Sequence, residues 1–106
     1  VKHYEVYLSP LAEVKLTKLL NFLSEEWSEK IKDNYLTILK SKFTQLSNFP
    51  ESCELSAKKK GVYKCVVTKQ SIFFYRIKGR EVEIITLFDS RQDPKKLRKE
   101  LKKYFG

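Results

Sequence analysis

Histidine occurs once in this chain, at His3, and that scarcity removes whole classes of chemistry. Neither a Ser/His/Asp nor a Cys/His constellation can be assembled around a histidine at the start of the first strand, and there is no Gly-rich phosphate loop. His3 itself reads as a strand-end surface residue. Two cysteines, Cys53 and Cys65, match no metal-ligand or redox spacing, so no metal site and no cofactor is expected. They read as reduced thiols of a cytoplasmic protein rather than as a secreted disulfide scaffold. Only three glycines and three prolines interrupt the 106 residues, which argues for a folded chain with short connections. Long apolar runs are missing too, so neither membrane insertion nor export is indicated.

What is present is charge, and it is unevenly placed. Residues 1–53 carry seven lysines against seven acids, whereas residues 54–106 carry fifteen cations against six acids and supply the whole net charge of +9. A cation-rich half favours a polyanionic target such as RNA or DNA, or an acidic protein partner, because clustered cations gain from releasing condensed counterions or from pairing. A Lys-rich surface also serves solubility.

One domain fits this length. Tyr4, Val6 and Leu8 alternate with His3, Glu5 and Tyr7, the period of a half-buried strand. Ser9-Pro10 then offers an N-cap and a first-turn proline, which predicts a helix with Ala12, Leu16, Leu19, Leu20, Leu23 and Trp27 inward. A second helix is expected from Ser28 to about Ser47, with Ile31, Tyr35, Ile38, Leu39, Phe43 and Leu46 at helical spacing, so the two form a hairpin. Asn48-Phe49-Pro50 breaks it, and a loop should run to about Gly61. Three runs rich in β-branched and aromatic residues follow, at 62–67, 71–77 and 82–88, predicting an antiparallel meander whose middle strand is central. Asp93-Pro94 opens a short basic C-terminal helix. The expected fold is α+β, in the order β-α-α-β-β-β-α, with an antiparallel sheet packed against the helical hairpin.

Cations on or beside the meander are the remaining candidates for function. Lys58, Lys59, Lys60, Lys64, Arg76 and Arg91, joined by Lys95 and Arg98 of the last helix, are the predicted contacts to a nucleic acid or other target. Lys64 and Arg76 alternate with apolar neighbours on their strands, so they need not share a face. Tyr63, Phe73, Phe74, Tyr75, Phe88 and Tyr104 are interleaved with them, yet a domain this small needs most such rings for its core. Asp89 and Asp93 flank Arg91 and most simply pair with it and cap the last helix.

Several strings resemble the RelE/ParE toxins of bacterial toxin–antitoxin modules, in order and over nearly the whole chain: Tyr4-Glu5-Val6-Tyr7-Leu8-Ser9-Pro10-Leu11-Ala12, Trp27-Ser28-Glu29-Lys30, Gly61-Val62-Tyr63-Lys64, Phe74-Tyr75-Arg76-Ile77 and Leu87-Phe88-Asp89-Ser90-Arg91-Gln92. The resemblance implies a toxin neutralised by a cognate antitoxin, acting either on DNA gyrase without hydrolysis or on mRNA at the ribosome as a metal-independent endoribonuclease. In the nuclease case Lys64 and Arg91 fall at or near positions of catalytic basic residues. Other expected basic positions hold Ser71 or Ile72 and Tyr63, and Asp89 stands where a histidine or cation ends the last strand. These departures favour the gyrase-type, non-hydrolytic reading, with an inactive binding module as a further alternative.

Overall fold

The computed structural model describes residues 3–56, 60–68 and 71–89. The expected last helix, with Lys95 and Arg98, lies outside them, as do Lys58, Lys59 and Arg91.

Alternating Tyr4 to Leu8 forms β1 (Glu5–Leu8), and the chain then turns at once into α1 (Pro10–Glu26). Ser9 caps this helix: its Oγ accepts from the Ala12 amide at 3.0 Å and donates to the Ile85 carbonyl at 2.6 Å, so one buried hydroxyl joins helix start to sheet. Ser28 repeats the device for α2 (Glu29–Asn48), accepting from the Ile31 amide at 3.1 Å. Four strands follow: β2 (Glu54–Leu55), β3 (Tyr63–Thr68), β4 (Ser71–Lys78) and β5 (Glu81–Asp89). Gly79 stands at φ +57 in the two-residue turn between β4 and β5, where a primed hairpin turn demands a left-handed residue.

The sheet runs β1-β5-β4-β3-β2, with β4 central as the apolar run 71–77 predicts. The meander is antiparallel, but β1 joins β5 in parallel register, Val6 beside Val82, so the five-stranded sheet is mixed rather than antiparallel throughout. The parallel pairing follows from connectivity: the two helices carry the chain back across the sheet before the meander begins. β2 is a second addition, a two-residue edge strand inside the stretch read from sequence as loop. Its ladder to β3 depends on cross-strand register, which local pattern does not reveal.

Tyr35, Leu39 and Leu46 of α2 and Ala12 of α1 close over Cys65, Phe73, Tyr75, Val82, Ile84 and Leu87 to make the main core. Each large side chain of this kind contributes roughly 1.5–3 kcal/mol on burial. Leu16, Leu19, Leu20 and Leu23 pack against it as predicted, but Trp27 does not: it is 65% exposed. Trp27 is the C-cap of α1, where the helical path ends and the stripe no longer projects toward the sheet. Ile31 and Ile38 are also exposed; Ile38 sits roughly 80° around the helix from the centre of the Tyr35, Leu39, Leu46 stripe.

Candidate functional site

Strand alternation gives the sheet two unlike faces. Phe73 and Tyr75 point to the hairpin, whereas Phe74 points away and joins Val62 and Ile85 in a separate buried cluster flanked by Ile72 and Phe88. An extra residue in β5, opposite the Phe74–Tyr75 step, keeps both sets aligned: Phe74 pairs with Thr86 and Tyr75 with Ile84. The bulge lies just past the last β1–β5 pair, Leu8 with Ile84. From there Lys15 of α1 takes over the edge, its Nζ donating to Thr86 Oγ1 at 3.1 Å and to the Leu87 carbonyl at 3.0 Å.

On this far face the structure brings two predicted cations together. Lys64 lies opposite Phe74 in the β3–β4 register, and Arg76 is two residues further along β4, so the two flank the Phe74 ring on one face. Each is held by a carboxylate. Lys64 Nζ is 3.2 Å from Glu54 Oε1, and Arg76 Nε donates to Glu83 Oε1 at 2.7 Å. Lys78 approaches the same Glu83 oxygen at 4.0 Å. Glu83 is the buried member, 7% exposed at the side chain, so its pair with Arg76 is a structural contact as well as an electrostatic one. Glu54 at 69% is solvent-bathed, and its pair with Lys64 is correspondingly weak. Lys60 is exposed in the turn before β3. The aromatic residues behave as core: Phe73, Phe74 and Tyr75 are buried, and Tyr63 stacks on Tyr75 with centroids 5.1 Å apart.

Sequence reasoning missed a second feature, a groove between the hairpin and the sheet end where β4 begins and β5 finishes. It comprises two adjoining hollows of about 310 Å³ each that share Leu19, Phe22, Ser71 and Asp89. Lys15 and Lys18 border one hollow, and exposed Trp27 and Ile31 border the other. At its floor Tyr35 Oη and Ser71 Oγ are hydrogen-bonded at 2.8 Å. Burial, opposed by the Ser71 bond and reinforced by nearby Asp89, holds the Tyr35 phenol protonated above its ordinary range. The legible signal was the spacing of Lys15, Lys18 and Phe22, which places them on one helical face beside the leucine stripe.

A family model described as the ParE toxin of the type II toxin–antitoxin system parDE matches residues 6–94. The chain belongs to this family. No curated protein matches the sequence. Among solved structures, the chromosomal ParDE system of P. aeruginosa aligns with a TM-score of 0.69 at 11% identity, covering 82% of this chain and 96% of that one. A free double-arginine mutant of the E. coli toxin RelE aligns at 0.64 and 15% identity over 98% and 99% of the two chains. The Mycobacterium tuberculosis complex RelBE2 aligns at 0.57 and 18% identity over 82% and 98%. At these identities the likeness is one of fold, and the ParE family assignment rests on the family model.

Proposed function

We propose that this ParE-family chain inhibits growth by binding and trapping a macromolecular target, in the manner expected of gyrase poisons, and that a cognate antitoxin neutralises it. One observation carries the reading: on the far face, Arg76 is engaged by buried Glu83, and Lys64 has the exposed Glu54 carboxylate beside it. A cation that must stabilise charge developing on a phosphate works best preorganised and uncompensated. Asp89, at the end of β5, adds negative charge where a nuclease needs positive. Lys58, Lys59, Lys60, Lys64, Arg76, Arg91, Lys95 and Arg98 are the proposed target contacts, used for attraction rather than for catalysis.

The shared face of Lys64 and Arg76 favours one alternative, a ribosome-dependent endoribonuclease in which Lys64 and Arg91 stabilise charge. Induced expression without antitoxin separates the two. The proposal expects growth arrest with DNA-damage signalling; codon-phased mRNA breaks, lost in Lys64→Ala and Arg91→Ala, would establish the alternative instead.

The groove beside α1 suits an antitoxin segment that is apolar with acidic flanks, since Phe22, Trp27 and Ile31 offer apolar surface and Lys15 and Lys18 offer charge. Trp27→Ala is expected to weaken antitoxin binding about tenfold, equivalent to roughly 1.4 kcal/mol. Unchanged affinity in titration calorimetry would move the antitoxin elsewhere.

A further inference from the structure

Cys53 and Cys65 are both free thiols, and the fold places them side by side. Glu54 pairs with Lys64 and Leu55 with Tyr63 across the β2–β3 ladder, so one step back in the same register sets Cys53 opposite Cys65. The Ser56 amide donates to the Val62 carbonyl at 2.7 Å, which makes 56–62 a hydrogen-bonded pair and, by alternation, 53–65 a non-hydrogen-bonded one. Directly opposed residues at such sites have Cα atoms about 4.5 Å apart, at the short end of disulfide geometry. Cys53 packs against the core in which Cys65 is buried. Tyr75 Oη, donating to the Pro50 carbonyl at 2.8 Å, secures the approach to Cys53.

We propose that Cys53 and Cys65 form a cross-strand disulfide on oxidation by a peroxide, stapling β2 to β3 and locking Lys64 against Glu54. The neighbours explain the second half of the claim: Cys53 precedes Glu54, and Cys65 follows Lys64, so the staple sits one residue from the ion pair. In the reduced chain β2 is a two-residue edge strand with both residues exposed, held by a short ladder and a solvent-bathed ion pair. Oxidation closes the segment 53–65, which contains Lys58, Lys59 and Lys60, and fixes its ends.

Cys53, half-buried, is the sulfur a peroxide reaches first, whereas burial pushes the Cys65 thiol up to about 12 and keeps it protonated. The Cys53 sulfur attacks one peroxide oxygen, the O–O bond breaks, and a sulfenic acid and water result. Cys65 then loses its proton and attacks the Cys53 sulfur; the S–S bond forms, the S–O bond breaks and a second water leaves. Two thiols lose two electrons and one hydrogen peroxide becomes two waters. A thiol pair of this kind suits a reducing compartment, where protein disulfides are transient and redox-sensing.

The test needs neither target nor antitoxin, so its outcome is separable from that of the toxin reading. The purified chain is treated with hydrogen peroxide, quenched, and analysed without reductant by intact mass and peptide mapping. Lysines are then labelled with an amine-reactive ester before and after treatment. The expected product is a monomer lighter by about 2 Da, reversed by dithiothreitol, with a linked Cys53–Cys65 peptide pair and several-fold lower labelling of Lys64. In Cys53→Ser the Cys65 thiol survives and Lys64 labelling no longer responds to peroxide. Since Cys65 is in the core and its replacement risks misfolding, the Cys53→Ser variant is the control on which the result depends. Intermolecular dimers, a Cys53 sulfinic acid beside an intact Cys65 thiol, or a disulfide with unaltered Lys64 labelling would each overturn the proposal.

Discussion

The two faces of the sheet are built from the same strands and do different things. Toward the hairpin, Phe73 and Tyr75 meet Leu39, Leu46 and Ala12, and Phe43 contacts Phe73 edge-on at 5.6 Å. Away from it, Phe74, Val62 and Ile85 form a smaller cluster bordered by the Arg76–Glu83 and Lys64–Glu54 pairs. One residue of phase along β4 thus separates a core that holds the fold from a face that presents charge. The lesson is that a cation-rich sequence half does not by itself make an electropositive site, because the same strands supply the carboxylates that offset it.

Substitutions should break this contrast in a definite order. Phe73→Ala removes a fully buried ring from the main core and should cost about 3–5 kcal/mol, read by urea denaturation. Val66→Ala on the far face, where Val66 is 51% exposed, should stay within roughly 0.5 kcal/mol. Between these lies Glu83→Ala, which strips Arg76 of its buried partner and should cost about 1–3 kcal/mol. A loss no greater than that of Val66→Ala would show the pair to be decorative.

Alkaline pH sharpens the comparison from the core side. The Cys65 thiol is held above its ordinary value of 9.0, to about 12, by burial first and Cys53 second. The unfolded chain therefore releases this proton before the folded one does. Its stabilising contribution is complete below pH 9 and is lost as pH rises toward 12. Tyr75, also raised by burial, acts in the same direction. Stability followed by denaturant titration should decline across that window, and Cys65→Ala should flatten the decline. A small effect, comparable to that of Val66→Ala, is expected from Lys64→Ala, since its exposed pair with Glu54 is worth about 0–1 kcal/mol in thermal melts.

Much of this architecture was legible locally. Ser9-Pro10 and Ser28 start both helices where their capping chemistry predicts, and the apolar runs of β3, β4 and β5 agree with the ladder to within a residue or two at each end. Three things were not legible, each for the same reason. The parallel β1–β5 pairing, the short β2, and the shared face of Lys64 and Arg76 are set by which strand pairs with which and in what register, to which strand propensity is blind. Trp27 failed differently: its spacing continues the leucine stripe, but the helix carrying the stripe ends there. Likewise the Cys53–Cys65 neighbourhood follows from β2 register, although the 53–65 spacing matches no motif.

The central claim is that this chain acts by binding rather than by cutting, and purified components test it most directly. Supercoiled plasmid, DNA gyrase, ATP and the purified protein are combined, and linear DNA is counted after detergent and protease treatment. Accumulation of gyrase-linked cleavage products, weakened but not abolished in Lys64→Ala, is the predicted result. Unchanged gyrase turnover, together with A-site mRNA cleavage on added ribosomes, would contradict it.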